Sequence, residues 1–280
     1  MVKCSINIKS KFGNVFYNFY KVKEKFTMEL GAQLYTVRDF GQNEKDIRRT
    51  LKKVAEIGYK EVQISGFKRL DAHVVKEILD ENGLKCVLTH NDENLILNET
   101  EKLIEYHNII GCDYIGLGGM PSRYRTEYWI DKFAEDYTEA AKKMADAGKL
   151  LMYHNHDFEF QKFSDGRNML EHLMADMPKE LMGFTLDTYW VQTAGADVLE
   201  WIEILKDRIP CVHLKDRGVI GGIGPVMAPV LEGNMNFKAI LAKLKEIGTV
   251  KHMLVEQDTC YESPFVCLEK SFKNVKKLGY

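Results

Sequence analysis

The sequence predicts one α/β domain folded as a (β/α)8 barrel, and three observations carry that expectation. From Met28 onward, short β-branched or aromatic runs alternate with amphipathic helical stretches. Eight such pairs follow one another. The segment from Met28 to Tyr280 also has the length at which eight units close a barrel, about 250 residues. A doubly wound open sheet is the competing fold, and it would carry a phosphate-binding Gly-x-Gly-x-x-Gly after an early strand. The turn after the first strand here reads Thr36-Val37-Arg38-Asp39 instead. No linker, whole-domain repeat or low-complexity run divides the segment.

Along the chain, strands are expected at Ala32 to Tyr35, Glu61 to Ile64, Cys86 to Leu88, Tyr114 to Leu117, Leu151 to Tyr153, Phe184 to Leu186, Cys211 to Leu214 and Met253 to Val255. A helical pattern follows each one. The clearest helix starts at Asn236, whose side chain suits an N-cap, puts Phe237, Ile240, Leu241, Leu244 and Ile247 on one face, and stops at Gly248. Ile57-Gly58, Asn82-Gly83, Ile110-Gly111 and Ala147-Gly148 end other helices, each glycine standing where a left-handed residue turns the chain toward the next strand.

Residues 1–27 stand outside this rhythm and mix Lys3, Lys9, Lys11, Lys21, Lys23 and Lys25 with Phe16, Tyr17, Phe19 and Tyr20. They read as an N-terminal extension, first as an over-long start with Met28 the true first residue, otherwise as a packing extension or an interaction arm. No uninterrupted apolar run or small-residue cleavage site follows these lysines, which argues against a secretory signal and for the cytoplasm. Six cysteines, at 4, 86, 112, 211, 260 and 267, form no Cys-x-x-Cys pair and read as reduced, buried thiols. With 39 basic against 41 acidic residues and a net charge of −2, no overall excess drives binding to nucleic acid or an anionic membrane, so a small molecule is the expected partner. The longest charge-free apolar stretch, Gly218 to Leu231, is broken by Gly and Pro and too short to span a bilayer.

The active site of such a barrel lies at the C-terminal ends of its strands. Four ends carry metal-ligand residue types: Tyr153-His154-Asn155-His156-Asp157, Thr185-Leu186-Asp187, Val212-His213-Leu214-Lys215-Asp216 and Leu254-Val255-Glu256-Gln257-Asp258. Side chains alternate along a strand, so His154 shares a face with His156, His213 with Lys215, and Glu256 with Asp258. One imidazole or carboxylate from each of four neighbouring strands can then converge on one divalent ion. Singly, each would read as a hydrogen-bonded rim group. The coincidence of four carries the metal reading. Two imidazoles and two carboxylates suit Mn2+, Zn2+, Co2+ or Fe2+, with Mg2+ less favoured by nitrogen ligands. Lys215 is divided between a substrate contact and a surface ion pair.

Over nearly all of Met28 to Tyr280 the chain resembles the xylose-isomerase-like TIM barrels, the sugar phosphate isomerase/epimerase superfamily that also holds inosose dehydratase-like and endonuclease-IV-like members. The residues that carry the resemblance are Gly31-Ala32-Gln33-Leu34-Tyr35-Thr36-Val37-Arg38, the run from Tyr153 to Glu159, Leu186-Asp187-Thr188, His213-Leu214-Lys215-Asp216, Glu232-Gly233-Asn234 and Glu256-Gln257-Asp258. It implies a metal held by Asp187, His213 and Glu256 with a fourth ligand from strand five, where the family's sugar epimerases usually place a glutamate. Aligning on Asn155-His156 puts His154 there, and a one-residue shift puts Tyr153; neither is a carboxylate. In those epimerases two ligand glutamates on opposite sides of the substrate exchange protons. Here Glu256 is left to share that work with a histidine, and His90, His156 and Glu159 are the nearest replacements. Gln33, Tyr35, Glu159 and Lys215 are the expected substrate contacts.

The activity so implied is that of a metal-dependent isomerase or epimerase taking a proton next to a carbonyl of a sugar, keto-sugar or cyclitol, with Glu256, His90 and His156 as acid–base candidates. Expelling a β-substituent instead would make the enzyme a dehydratase or lyase. A sugar-binding barrel without turnover is a third reading, motivated by the absent glutamate. The DNA-repair endonuclease branch typically reads Asp-x-x-His where this chain has Asp187-Thr188-Tyr189-Trp190, and is disfavoured. A homo-oligomer is left open, since a pairing surface has no spacing signature.

Overall fold

Each barrel strand is a run of β-branched, aromatic or other apolar residues that would bury both faces, one toward the barrel axis and one toward the helices. The computed structural model describes residues 28–280 and, ahead of them, only the antiparallel pair Lys9–Ser10 and Gly13–Asn14. The expectations for the rest of residues 1–27, and for Cys4, lie outside the described residues. The barrel strands are β1 (Glu29–Gln33), β2 (Glu61–Ile64), β3 (Lys85–Asn91), β4 (Tyr114–Leu117), β5 (Leu150–His154), β6 (Met182–Asp187), β7 (Cys211–Leu214) and β8 (His252–Val255). All pair in parallel, and β8 closes the ring by pairing with both neighbours, Val255 opposite Leu214 and opposite Ala32.

The main core, including Leu51, Val62, Phe133, Phe184, Ile202 and Leu241, lies between this ring and the surrounding helices. A smaller cluster, Val87, Leu88, Met152, Cys211 and Leu254, is separate from it. Two residues beyond four of its members stand His90, His154, His213 and Glu256. The period of two thus keeps an apolar plug low in the barrel and lifts a polar layer above it, at the C-terminal mouth. Gly31 and Gly183 make room for the plug: a Cβ on them would stand 2.7 Å from Leu254 Cδ2 and 2.9 Å from Met152 Sδ.

Two expectations are corrected. The first strand ends at Gln33 rather than Tyr35, because the Gln33 side chain accepts the Tyr35 backbone N–H and caps a 3-10 turn over Leu34–Phe40. The seventh strand ends at Leu214 as expected, but the helical pattern does not follow it directly, since a β-hairpin comes before the helix at Phe237–Ile247: Asp216–Ile220 pairs antiparallel with Gly224–Ala228, Asp216 opposite Ala228. The apolar stretch from Gly218 to Leu231 therefore forms an arm beside the mouth. The helix at Phe237–Ile247 stands where expected, with the Asn236 side chain accepting the Ala239 N–H and Gly248 in the left-handed conformation. Among the described residues the five cysteines are free, Cys86, Cys112, Cys211 and Cys267 buried and Cys260 half-buried, and no helix is long and apolar enough to cross a membrane.

Candidate metal centre at the mouth of the barrel

His154, Asp187, His213 and Glu256, from β5, β6, β7 and the end of β8, each offer one ligand atom within 4.8 Å of the other three, and all four are buried. His154 Nε2 lies 3.3 Å from Asp187 Oδ2, His213 Nδ1 3.6 Å from the same oxygen, and His213 Nδ1 3.0 Å from Glu256 Oε2.

The outward atoms of three of these residues are held by the protein. His154 Nδ1 faces the Gly118 carbonyl at 3.1 Å, an acceptor to which it can donate, while Nε2 points to the centre, 3.3 Å from Asp187 Oδ2. His213 Nε2 donates to Gln63 Oε1 at 2.6 Å, while its buried Nδ1 has no hydrogen-bond partner. Asp187 Oδ1 accepts the backbone N–H groups of Tyr189 and Trp190 at 2.9 and 3.1 Å, leaving Oδ2 for the centre. This is the arrangement in which outer partners fix ring tautomers and aim ligands, and two imidazoles with two carboxylates fit a divalent transition ion.

Lys215 is buried in the same layer. Its Nζ lies 2.7 Å from Asp258 Oδ2, 3.2 Å from Glu256 Oε2 and 3.5 Å from Asp187 Oδ2, and 5.0 Å from the Trp190 ring centroid. Burial alone would weaken all of these charges, but their mutual attraction outweighs it. The Asp187 and Glu256 carboxyls are drawn well below their ordinary range by Lys215 and the neighbouring imidazoles. His213 rises to about 9 as Glu256 and Asp187 overcome its desolvation. Asp258, by contrast, is pushed up to about 6 by burial and by the adjacent Glu256. Three carboxylates thus face one ammonium and one imidazolium; a dication would take the place of the His213 proton.

A cleft of about 350 Å³ opens over the centre, in the size range of small-molecule sites. Tyr35, His90, His154, His156, Lys215, Glu256 and Asp258 line it, together with Ser65, Gly66, Asn91 and Gly118. β8 lies across the barrel from β4, which β3 and β5 flank, so Glu256 stands on one wall and His90 and His156 on the other. His90 Nδ1 sits 3.2 Å from Ser65 Oγ, and burial, reinforced by His154 and His213, lowers its pKa well below the ordinary histidine value, so the ring is neutral.

Two expected substrate contacts are placed elsewhere. Glu159 is fully buried beneath His156: Oε1 accepts the Tyr153 hydroxyl at 2.6 Å and Oε2 the His156 N–H at 2.8 Å, so it positions that segment rather than reaching the cleft. Gln33 is also fully buried and its oxygen caps the turn after β1. Conversely, Gln63 belongs to the site without having been singled out, and Asp258, expected to share a face with Glu256 but given no role, joins it through Lys215. The signal for Gln63 was a polar side chain between apolar Val62 and Ile64 in a strand buried on both faces; that for Asp258 was its place two residues beyond Glu256.

An eight-stranded parallel barrel with buried imidazoles and carboxylates gathered at its C-terminal mouth defines the class. A family model described as "Xylose isomerase-like TIM barrel" matches residues 51–264, and the chain belongs to that family. Among solved structures it is similar to a sugar phosphate isomerase/epimerase from Parabacteroides distasonis, with TM-score 0.75 and 23% identity over 89% of this chain and 96% of that one. An L-ribulose 3-epimerase gives TM-score 0.70 and 14% identity over 90% and 94%. The IOLI protein, solved with a zinc atom, gives 0.66 and 16% over 90% and 98%. At these identities the likeness is one of fold. No curated protein sequence matches the chain.

Proposed function

We propose that the chain is a metal-dependent sugar isomerase or epimerase whose ion is held by His154, Asp187, His213 and Glu256. The observation that carries this reading is the convergence of those four inner atoms, three of them aimed by an outer hydrogen bond. A divalent ion bound there supplies Lewis-acid polarisation of a carbonyl, which makes the neighbouring C–H acidic. The chain's own residues do the rest. Tyr35 offers a half-exposed aromatic face at the cleft, and Lys215 an ammonium for a substrate oxygen. Glu256 takes the proton on its wall, and the neutral imidazole of His90, or His156, exchanges one on the wall opposite. His154, standing where the family's epimerases usually carry a glutamate, keeps a ligand but not a second carboxylate base. The named activities of the similar structures, sugar phosphate isomerase/epimerase and L-ribulose 3-epimerase, support the same substrate class.

Glu256→Gln tests the reading. It keeps the shape and one ligating oxygen but removes the charge and the base. Turnover on a keto-sugar panel is expected to fall about 10² to 10⁴-fold, with deuterium exchange from solvent into the sugar lost and the melting temperature little changed. Undiminished exchange would move the base to His90 or His156. An elimination product in place of an isomer would make the enzyme a lyase, and metal retention without any turnover would leave a sugar-binding barrel.

A further inference from the structure

Among the described residues a second group of metal-ligand side chains lies on the outer helical layer. His172 and Asp176 stand one turn apart on the helix Met169–Asp176 and so share a face. Asp131 is in the first turn of the helix Ile130–Asp146, which packs against it. One ligand atom from each of Asp131, His172 and Asp176 lies within 4.8 Å of the other two.

The imidazole is what separates this group from an ordinary acidic patch. The His172 side chain is only 9% exposed, yet its Nε2 is buried without a hydrogen-bond partner, and its Nδ1 lies 3.7 Å from Asp131 Oδ1, beyond hydrogen-bond reach. Nε2 faces Asp165 Oδ2 at 3.3 Å, within ion-pair distance but not aligned for a hydrogen bond, which a rotation of the ring would make. That rotation would complete the carboxylate–imidazole pairing that orients metal-ligating histidines, with Nδ1 left to face the two aspartates. Asp165 is itself balanced by Arg167, Nε to Oδ2 at 2.7 Å. No Lys or Arg among the described residues lies within ion-pair distance of Asp131 or Asp176; Arg167, paired with Asp165, acts on both only from further away. Ligand atoms around a tetrahedral zinc stand about 3.3 Å apart, given bonds near 2.0 to 2.1 Å, so closure asks for a contraction of a few tenths of an ångström at the His172–Asp131 edge and a larger inward turn of the exposed Asp176 carboxylate, which lies outside ion-pair distance of His172 but within 4.8 Å.

We propose that Asp131, His172 and Asp176 bind a second divalent ion of the zinc class, clamping together the two helices that flank β5 in sequence. One imidazole and two carboxylates with solvent at the remaining positions suit Zn2+, Co2+ or Ni2+, whereas Ca2+ and Mg2+ prefer all-oxygen sites. β5 carries His154, so the clamp braces the strand that departs from the family's usual ligand.

The test is stoichiometry. Full-length protein stripped with chelator and dialysed against Zn2+ is expected to hold two equivalents, and His172→Gln or Asp131→Asn one. The His213→Gln/Glu256→Gln double variant should keep one equivalent and lose it when His172→Gln is added. Asp131 is 73% exposed at the side chain, so its variant folds even if the His172 substitution disturbs packing. Zn2+ should raise the melting temperature of the double variant and fail to do so once His172→Gln is added. Equal zinc content in wild type, His172→Gln and Asp131→Asn would overturn the proposal. A wild type holding one equivalent that disappears with His172→Gln would uphold it while removing the ion from the barrel mouth.

Discussion

His107 lies outside the cleft but is wired to it. The ring is fully buried; Nδ1 donates to the Leu103 carbonyl at 2.7 Å, Nε2 accepts the Thr89 hydroxyl at 2.7 Å, and Thr89 Oγ1 in turn accepts Asn91 Nδ2 at 2.7 Å. Asn91 faces the cleft. Every donor and acceptor in this chain runs one way, and only a neutral imidazole satisfies it. Burial accordingly lowers the His107 pKa from 6.5 to about 4. Between pH 6.5 and 4 the unfolded chain binds a proton that the folded one refuses, so stability present above 6.5 is lost as the pH falls through that window. The loss from His107 amounts to about 3 kcal/mol once pH is below 4. Urea midpoints measured from pH 7.5 to 4.5 should fall less steeply in His107→Gln than in the wild type. Parallel slopes would mean that His107 protonates freely in the folded state.

The hairpin arm after β7 hangs on one carboxylate. Asp216 Oδ1 accepts the N–H groups of Arg217 and Met235 at 2.7 and 3.4 Å, and Oδ2 those of Leu231 and Gly233 at 2.9 and 3.0 Å. Two of those donors sit in a tight loop. Leu231 is the one described non-glycine residue with a positive φ, 71°, a conformation that costs roughly 1 kcal/mol or more and must be held by its surroundings. At Gly233 a Cβ would stand 2.4 Å from Asp216 Oδ1, which is the physical reason for glycine in Glu232-Gly233-Asn234. Asp216→Ala would strand several partly buried N–H groups, and a loss of about 2 to 4 kcal/mol is expected from denaturant unfolding. Asp216→Asn retains one acceptor oxygen and should lose less. Because Asp216 adjoins Lys215, the Ala variant should also lose turnover, whereas unchanged stability would show that the hairpin is held by its own ladder.

At the scale of the molecule, closure is complete within the described barrel. β1 pairs with β8 from Glu29 opposite His252 onward, and the last helix, Pro264–Lys277, packs on the first long one, Glu44–Ile57. None of these contacts draws on residues before Met28. A chain from Met28 to Tyr280 is therefore expected to match the full chain in stability within about 0.5 kcal/mol, the usual spread for changes remote from a core, and to match it in activity. A drop of several kcal/mol in denaturant unfolding would show that residues 1–27 pack as part of the fold.

Periodicity determined much of this in advance. Glu61–Ile64, Tyr114–Leu117 and Cys211–Leu214 are strands with the bounds expected of them, since runs buried on both faces leave little choice of structure, and the helix at Phe237–Ile247 is bounded by its own cap and glycine. The same period of two placed His90, His154, His213 and Glu256 on inward faces above an apolar plug, so most of the candidate centre was legible as well. What escaped were interactions between residues far apart in the chain. Gln33 ends β1 with its own side chain, Gln63 holds the outer nitrogen of His213 across 150 residues of sequence, and Glu159 turns away from the cleft to hold Tyr153 and His156. Lys215 could be read equally as a surface ion pair until the barrel set it beside Asp187, Glu256 and Asp258. Spacing along a strand says which way a side chain points, but which charge it meets there is decided by the closure of the barrel, which brings the ends of different strands to one place and removes the water that would have screened them.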